Sequence, residues 1–213
     1  METETLTELQ NSLRQAAKAD TPPEETPDIG IIMGSDSDLD VMMGSDTGRP
    51  GAYDALTELG FAEQTGTDSP EERFTFETYV VSAHRTPELM YTYAETAADR
   101  GIDVIIAGAG GKSADLPNMT ASIAYPVPVI GVPVQEKSLP SVIGMPQGAP
   151  IVAVDAGKSF NAALSAVQIL ALEHDILEER LLEYHETLKE DVALTSQSLH
   201  SLGTEEFKRQ RDR

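Results

Sequence analysis

The chain has no cysteine in its 213 residues. That excludes a disulfide scaffold, a thiolate nucleophile and any zinc site built on cysteine. Tryptophan is also missing, and aromatic residues make up 5%. Basic residues are scarce, with 15 Lys and Arg against 36 Asp and Glu and a net charge of −21. Such a surface repels phosphate backbones, so no nucleic-acid partner is expected. No uncharged apolar run reaches the roughly 18 residues that a spanning helix needs, so no membrane partner is expected either. The opening METETLTEL is acidic where a secretory leader would be basic and then apolar. The expectation is a cytoplasmic protein without a leader.

What is present argues for a folded core. Hydrophobic residues make up 40% of the chain, enough for one globular domain with extensions. The acidic excess then points to adaptation to high salt, where screening makes a like-charged surface tolerable. The lysine content agrees, since only 6 of the 15 basic residues are lysine.

Leu6, Leu9, Leu13 and Ala17 recur at near-helical spacing, which predicts a short amphipathic helix in residues 1–18. The acidic, proline-rich DTPPEETPD follows, so residues 1–28 read as an extension and linker. From Ile29 onward five apolar runs appear: IGIIM at 29–33, FTFETYVV at 74–81, VIIA at 104–107, VPVIGV at 127–132 and IVAV at 151–154. Their length and composition suit strands buried on both faces. Helical patterns lie between and after them, at Pro87–Arg100, Ser159–Glu173 and Ile176–Leu188. Alternating strands and helices predict an α/β fold with a parallel sheet of about five strands. Residues 29–175 then form the main domain, to which the family resemblance given below assigns the catalytic role, and 176–213 a C-terminal helix and tail. The stretch from about 43 to 72, rich in glycine and acids, reads as a surface insertion around a short helix at Tyr53–Leu59. Within it MGSDTG at 43–48 echoes MGSDSD at 33–38, but only the first copy follows a strand.

Ligands of open parallel sheets bind beyond the C-terminal ends of the strands. Three such ends are polar or glycine-rich. Gly34-Ser35-Asp36-Ser37-Asp38 offers a close turn, hydroxyls and free N–H groups for a phosphate, with Asp38 suited to a ribose hydroxyl. Ser82-Ala83-His84-Arg85 joins an imidazole, which exchanges protons near neutrality, to a guanidinium fork for phosphate or carboxylate. Gly108-Ala109-Gly110-Gly111 lets backbone approach a flat ring or a neighbouring subunit. The following Lys112-Ser113 does not complete a nucleotide loop, because a dinucleotide fingerprint needs glycine at Ser113. A second GKS at 157–159 lacks the P-loop glycine, with Val152 in its place. No pair among His84, His174, His185 and His200 has metal-site spacing.

IGIIMGSDSDL, VVSAHRTPE, VIIAGAGG, VPVIGVPV, GMPQGAPI and AGKSFNAALSAVQILAL, in this order, resemble the N5-carboxyaminoimidazole ribonucleotide mutase family over about residues 29–175. The resemblance implies a three-layer α/β/α sandwich with a flavodoxin-like sheet, a homo-octamer, and a small-molecule ribonucleotide substrate. It implies carboxyl transfer to give 4-carboxy-5-aminoimidazole ribonucleotide in purine biosynthesis, with no metal or other cofactor. By motif match, His84 is implied as the proton-transfer residue. Ser35, Asp38 and Arg85 are implied as substrate contacts, with Ser37 and Ser82 as further ones. Gly108, Ala109 and Gly110 are implied to lie against the imidazole ring of the substrate.

The chain departs from the family after AGAGG, where a histidine usually precedes the Leu-Pro pair and this sequence has Lys112-Ser113-Ala114-Asp115-Leu116-Pro117. Lys112, Ser113 and Ala124–Val127 resemble the animal aminoimidazole ribonucleotide carboxylases, which use free carbon dioxide. A carboxylase on the same ribonucleotide is therefore the alternative. A flavodoxin-like binding module is a third reading, but the scarcity of aromatics argues against a flavin. Its receiver form would need a lone strand-end aspartate, for which Asp155 is the candidate. An inactive interaction protein is a fourth. The basic end KRQRDR is expected to be a solvated tail.

Overall fold

The strand β1 (Ile29–Met33) is buried along its whole length, and Ile29, Ile31, Ile32 and Met33 are fully withdrawn from solvent. Each such side chain contributes about 1.5–3 kcal/mol relative to exposure. A strand like this needs a neighbour on each edge and helices above and below. The computed structural model, which describes residues 3–45, 48–66 and 70–211, supplies both. The chain divides into two compact units, residues 1–170 and 171–213.

In the first unit α1 (Glu4–Ala16) precedes β1, and α2 (Leu39–Met42), α3 (Ala52–Glu58) and β2 (Ala62–Glu63) follow it. Then come β3 (Thr75–Val80), α4 (Pro87–Thr96), β4 (Val104–Ala109), α5 (Leu116–Ile123), β5 (Val129–Pro133), α6 (Leu139–Val142), β6 (Val152–Ala153) and α7 (Ser159–Leu170). All pairings between these strands are parallel, in the order β2-β3-β1-β4-β5-β6. Without the edge strand β2 this is the flavodoxin-like order. Helix α3 packs with α7, whereas α4 packs with α5 and carries α1. Helices thus cover the sheet as in the expected sandwich. Helix α1 is tied to α4 through Gln10 and Arg14, whose side chains both donate to Thr92 Oγ1.

The structure adds a sixth strand to the five expected. Strand β2 is two residues long, too short to show a period of two. The 43–72 segment, expected as a surface insertion, supplies this strand and α3, and Ala52, Ala55, Leu56, Leu59 and Phe61 are buried. The short helix expected at Tyr53–Leu59 is α3, but its apolar side is buried in the fold and is not a surface feature. Arg49 of this segment donates to the Gly157 carbonyl at 2.9 Å. Asp46 and Thr47 of the repeated MGSDTG lie outside the described residues. No helix is expected from sequence between Gly111 and Val127, yet α5 lies there, opened by Leu116-Pro117.

Helix α4 starts at Pro87, where a missing N–H costs nothing. A 3-10 turn continues it to Arg100, and Gly101 at φ +83° stops it. This turn sets Arg100 inside the fold, with Nη1 2.6 Å from Glu77 Oε1 of β3 and the guanidinium 4.7 Å above the Tyr93 ring.

The second unit consists of α8 (Asp175–Leu202) and α9 (Thr204–Arg211). Helix α8 runs well past the expected end at Leu188, because no glycine or proline interrupts it before Gly203. His185 and His200 are exposed on it. Of the KRQRDR end, Asp212 and Arg213 lie outside the described residues. No described helix is long and apolar enough to cross a membrane.

Candidate active site

Register brings the polar segments together. Met33 at the end of β1 pairs with Val80 on one side and Gly108 on the other. Gly108 in turn pairs with Val132, and Ala109 with Pro133. Four adjacent strands therefore end at one level, spaced about 4.8 Å apart. The chain leaves β1 toward one edge of the sheet and β4 toward the other. A crevice opens between them, at the topological switch point. GSDSD, SAHR, AGG and VQEK emerge around it, and a cavity of about 460 Å³ lies there.

The GSDSD turn is pinned at its root, where the Gly34 N–H donates to the Gly108 carbonyl at 3.1 Å. Ser35 is extended, and its hydroxyl accepts from the Ser37 N–H. The SAHR turn is closed by its own side chains. The Ser82 N–H donates to Thr86 Oγ1 at 2.9 Å, and Ser82 Oγ accepts from the Arg85 N–H at 3.2 Å. Arg85 Nη2 reaches across to the Gly34 carbonyl at 3.0 Å and joins the two turns. His84 projects from this turn with Nε2 3.1 Å from Asp115 Oδ2.

Ser35, Ser37, Asp38, Ser82, His84, Arg85, Ala109 and Gly110 all line the cavity. Gly108 does not. A Cβ there would strike Met42 Sδ, so its missing side chain makes room for α2 behind the sheet. Strand residues alternate in direction, so Gly108, implied by the resemblance to lie against the substrate ring, faces α2, while Ala109 and Gly110 line the cavity. Gly110 has a local role in the site, since a Cβ on it would lie 3.1 Å from Asp38 Oδ1.

Four further polar side chains line the same space without having been assigned a role: Ser113, Asp115, Gln135 and Lys137. Ser113 follows the glycine loop, and Gln135 directly follows VPVIGVPV. Asp115 and Lys137 carry no local signal of their own. Ser138, next to Lys137, is buried and donates to the Gly111 carbonyl at 2.8 Å, fastening the loop after β5 to the loop after β4. Two cations, Arg85 and Lys137, thus face a cavity in a strongly acidic protein. With the surrounding hydroxyls they can take phosphate or carboxylate charge, and Asp38 can accept from sugar hydroxyls. Among the described residues no three His, Asp or Glu side chains group as a metal site.

Burial pushes the Asp38 carboxyl up from the ordinary carboxylate range, although N–H bonds from Ser35 and Gly110 and the charge of Arg85 pull it down. The folded state then holds the Asp38 proton more tightly than the unfolded chain does. That contribution to stability is complete below the ordinary carboxylate pKa and is lost as pH rises through the raised one. Asp38→Asn is therefore expected to melt above the wild type at neutral pH, with the gain shrinking toward pH ~4. Thermal melts across this range check it.

The AIR carboxylase family model matches residues 28–191. The N5-carboxyaminoimidazole ribonucleotide mutase of Thermotoga maritima is 40% identical over 192 residues, covering 87% of this chain and 99% of that protein. The enzyme of the same name from Synechocystis is 44% identical over 184 residues, 84% of this chain and 92% of the relative. A crystal structure of Treponema denticola PurE superposes with a TM-score of 0.62, covering 80% of this chain and 97% of the other; at 21% identity this match speaks for the fold alone. With the motifs in register around one crevice and the family match spanning most of its length, the chain belongs to the AIR carboxylase family.

Proposed function

We propose that the chain converts N5-carboxyaminoimidazole ribonucleotide to 4-carboxy-5-aminoimidazole ribonucleotide in purine biosynthesis. The observation that carries this reading is the convergence of His84, Arg85 and Ser82 from one strand end with Ser35, Ser37 and Asp38 from the next on one cavity. Its volume, about 460 Å³, is in the range of small-molecule sites. Relatives at 40% and 44% identity carry the name of this activity.

The chemistry asks for one proton carrier and a closed space. The carbamate nitrogen–carbon bond breaks, carbon dioxide departs, and the nitrogen takes a proton from the His84 imidazolium. The electron-rich ring then adds carbon dioxide at carbon 4. The neutral His84 takes the carbon 4 proton, and the ring regains its aromaticity. Protons balance, and His84 ends as it began. Arg85 and the serines hold the phosphate, Asp38 the ribose, and the backbone of Ala109 and Gly110 lies along the ring. Held beside the ring, carbon dioxide reacts before it can diffuse away.

The same reading places the protein in the cytoplasm as a homo-octamer. Family resemblance supports this, and Tyr125, Ile143 and Val152, apolar residues more than half exposed on the single chain, suit a subunit contact. The net charge of −21 and the low lysine count support adaptation to high salt. The direct test gives purified protein the carbamate substrate in bicarbonate-depleted buffer, and separately the unmodified aminoimidazole ribonucleotide with bicarbonate. Turnover of the first alone is expected. Turnover of the second alone makes the protein a carboxylase that uses free carbon dioxide.

A further inference from the structure

Asp115 sits in the loop between β4 and α5, and the mechanism above does not use it. Its carboxylate nevertheless touches the imidazole, with Oδ2 3.1 Å from His84 Nε2. The other oxygen, Oδ1, accepts from the Ser141 hydroxyl of α6, also at 3.1 Å. A carboxylate engaged at both oxygens has a fixed orientation. Toward an imidazole it can only accept, so the ring nitrogen that faces it carries the proton. The side chains are 62% and 39% exposed, so the contact adds little to stability and acts through geometry.

We propose that Asp115 is a positioning residue. It keeps the Nε2–H on its own side, so that Nδ1 is the nitrogen that gives a proton to the leaving nitrogen and, once neutral, takes the carbon 4 proton. The proposal rests on His84 as the proton carrier. Three other charged groups share the cavity. Arg85 is engaged at the Gly34 carbonyl, and Asp38 by the N–H groups of Ser35 and Gly110. Lys137 approaches from the loop after β5 as a cation and cannot accept from the ring. Asp115 is thus the carboxylate aligned on His84. It precedes Leu116-Pro117, the place where the resembled family's loop has a histidine, so this chain supplies a fixed acceptor where a second imidazole would stand.

The test uses the full-length protein and the variants Asp115→Asn, Asp115→Glu and Ser141→Ala. Steady-state turnover of N5-carboxyaminoimidazole ribonucleotide gives kcat and KM, and nitrogen-15 NMR of the ligand-free protein reads the His84 tautomer. Wild type is expected to show Nε2–H. Asp115→Asn is expected to mix the tautomers and lower kcat by roughly 10²-fold with KM nearly unchanged. Asp115→Glu recovers part of the loss, and the melting temperature of Asp115→Asn stays at the wild-type value. Wild-type kcat in Asp115→Asn, or a neutral imidazole protonated at Nδ1 alone in the unmodified protein, overturns the proposal. If Asp115→Asn does not fold, Ser141→Ala decides: lowered kcat at constant KM supports the proposal, and unchanged kcat defeats it. If the wild type turns over no carbamate, the assigned reaction falls, while the NMR arm still decides whether Asp115 sets the tautomer.

Discussion

Replacing His84 by asparagine is expected to lower kcat by about 10²–10⁴-fold while KM stays near the wild-type value. Asparagine keeps a polar side chain in the turn but cannot carry a proton between ring carbon and leaving nitrogen. The turn itself is built by Ser82, Arg85 and Thr86, none of which bonds the imidazole. With its side chain 62% exposed, His84 also supports little of the core. Melting temperature should therefore hold while turnover fails, and progress curves with a parallel thermal melt separate the two. A kcat within about threefold of wild type removes His84 from the chemistry.

The largest stability effect is expected far from the cavity. Glu77→Ala should destabilise the fold by about 3–5 kcal/mol, because it leaves the Arg100 charge buried and uncompensated. Arg100 is 4% and Glu77 11% exposed at the side chain, and the 2.6 Å contact between them lies beneath α4. The remaining contacts, Nε to Thr96 Oγ1 at 3.2 Å and the Tyr93 ring face, do not neutralise the guanidinium. For a chain of this length the loss corresponds to a melting point lower by roughly 10 °C or more. Neither residue lines the cavity, so kcat per folded molecule should be unchanged. Replacing both partners by methionine should cost far less, since no charge is then stranded. A Glu77→Ala protein that melts with the wild type contradicts this view of the pair.

The readable parts of this sequence are those with a local cause. IGIIM, FTFETYVV and VIIA announce themselves because strands covered on both faces must be apolar throughout. GSDSD and SAHR announce themselves because polar residues directly after such runs stand at the ends where parallel sheets bind ligands. Asp115 and Lys137 gave no such sign. Each is one charged residue in a polar turn, and only the β4–β5 register and the Ser138 bond to Gly111 carry them to the cavity. Gly108 shows the opposite case. It belongs to a motif that does reach the site, but its own direction is set by the pleat, toward Met42. Residues 43–72 look like a loop by composition, yet Leu56 and Leu59 are buried on α3 and behind it, in contacts that composition does not encode.

The central claim is that one carboxyl group moves between two atoms of the same substrate inside the cavity around His84. Carbamate substrate labelled with carbon-13 at the carboxyl, turned over in unlabelled bicarbonate and followed by mass spectrometry of the product, tests this most directly. The account expects the product to retain the label. Unlabelled product would contradict it, since the carboxyl group would then have come from solution.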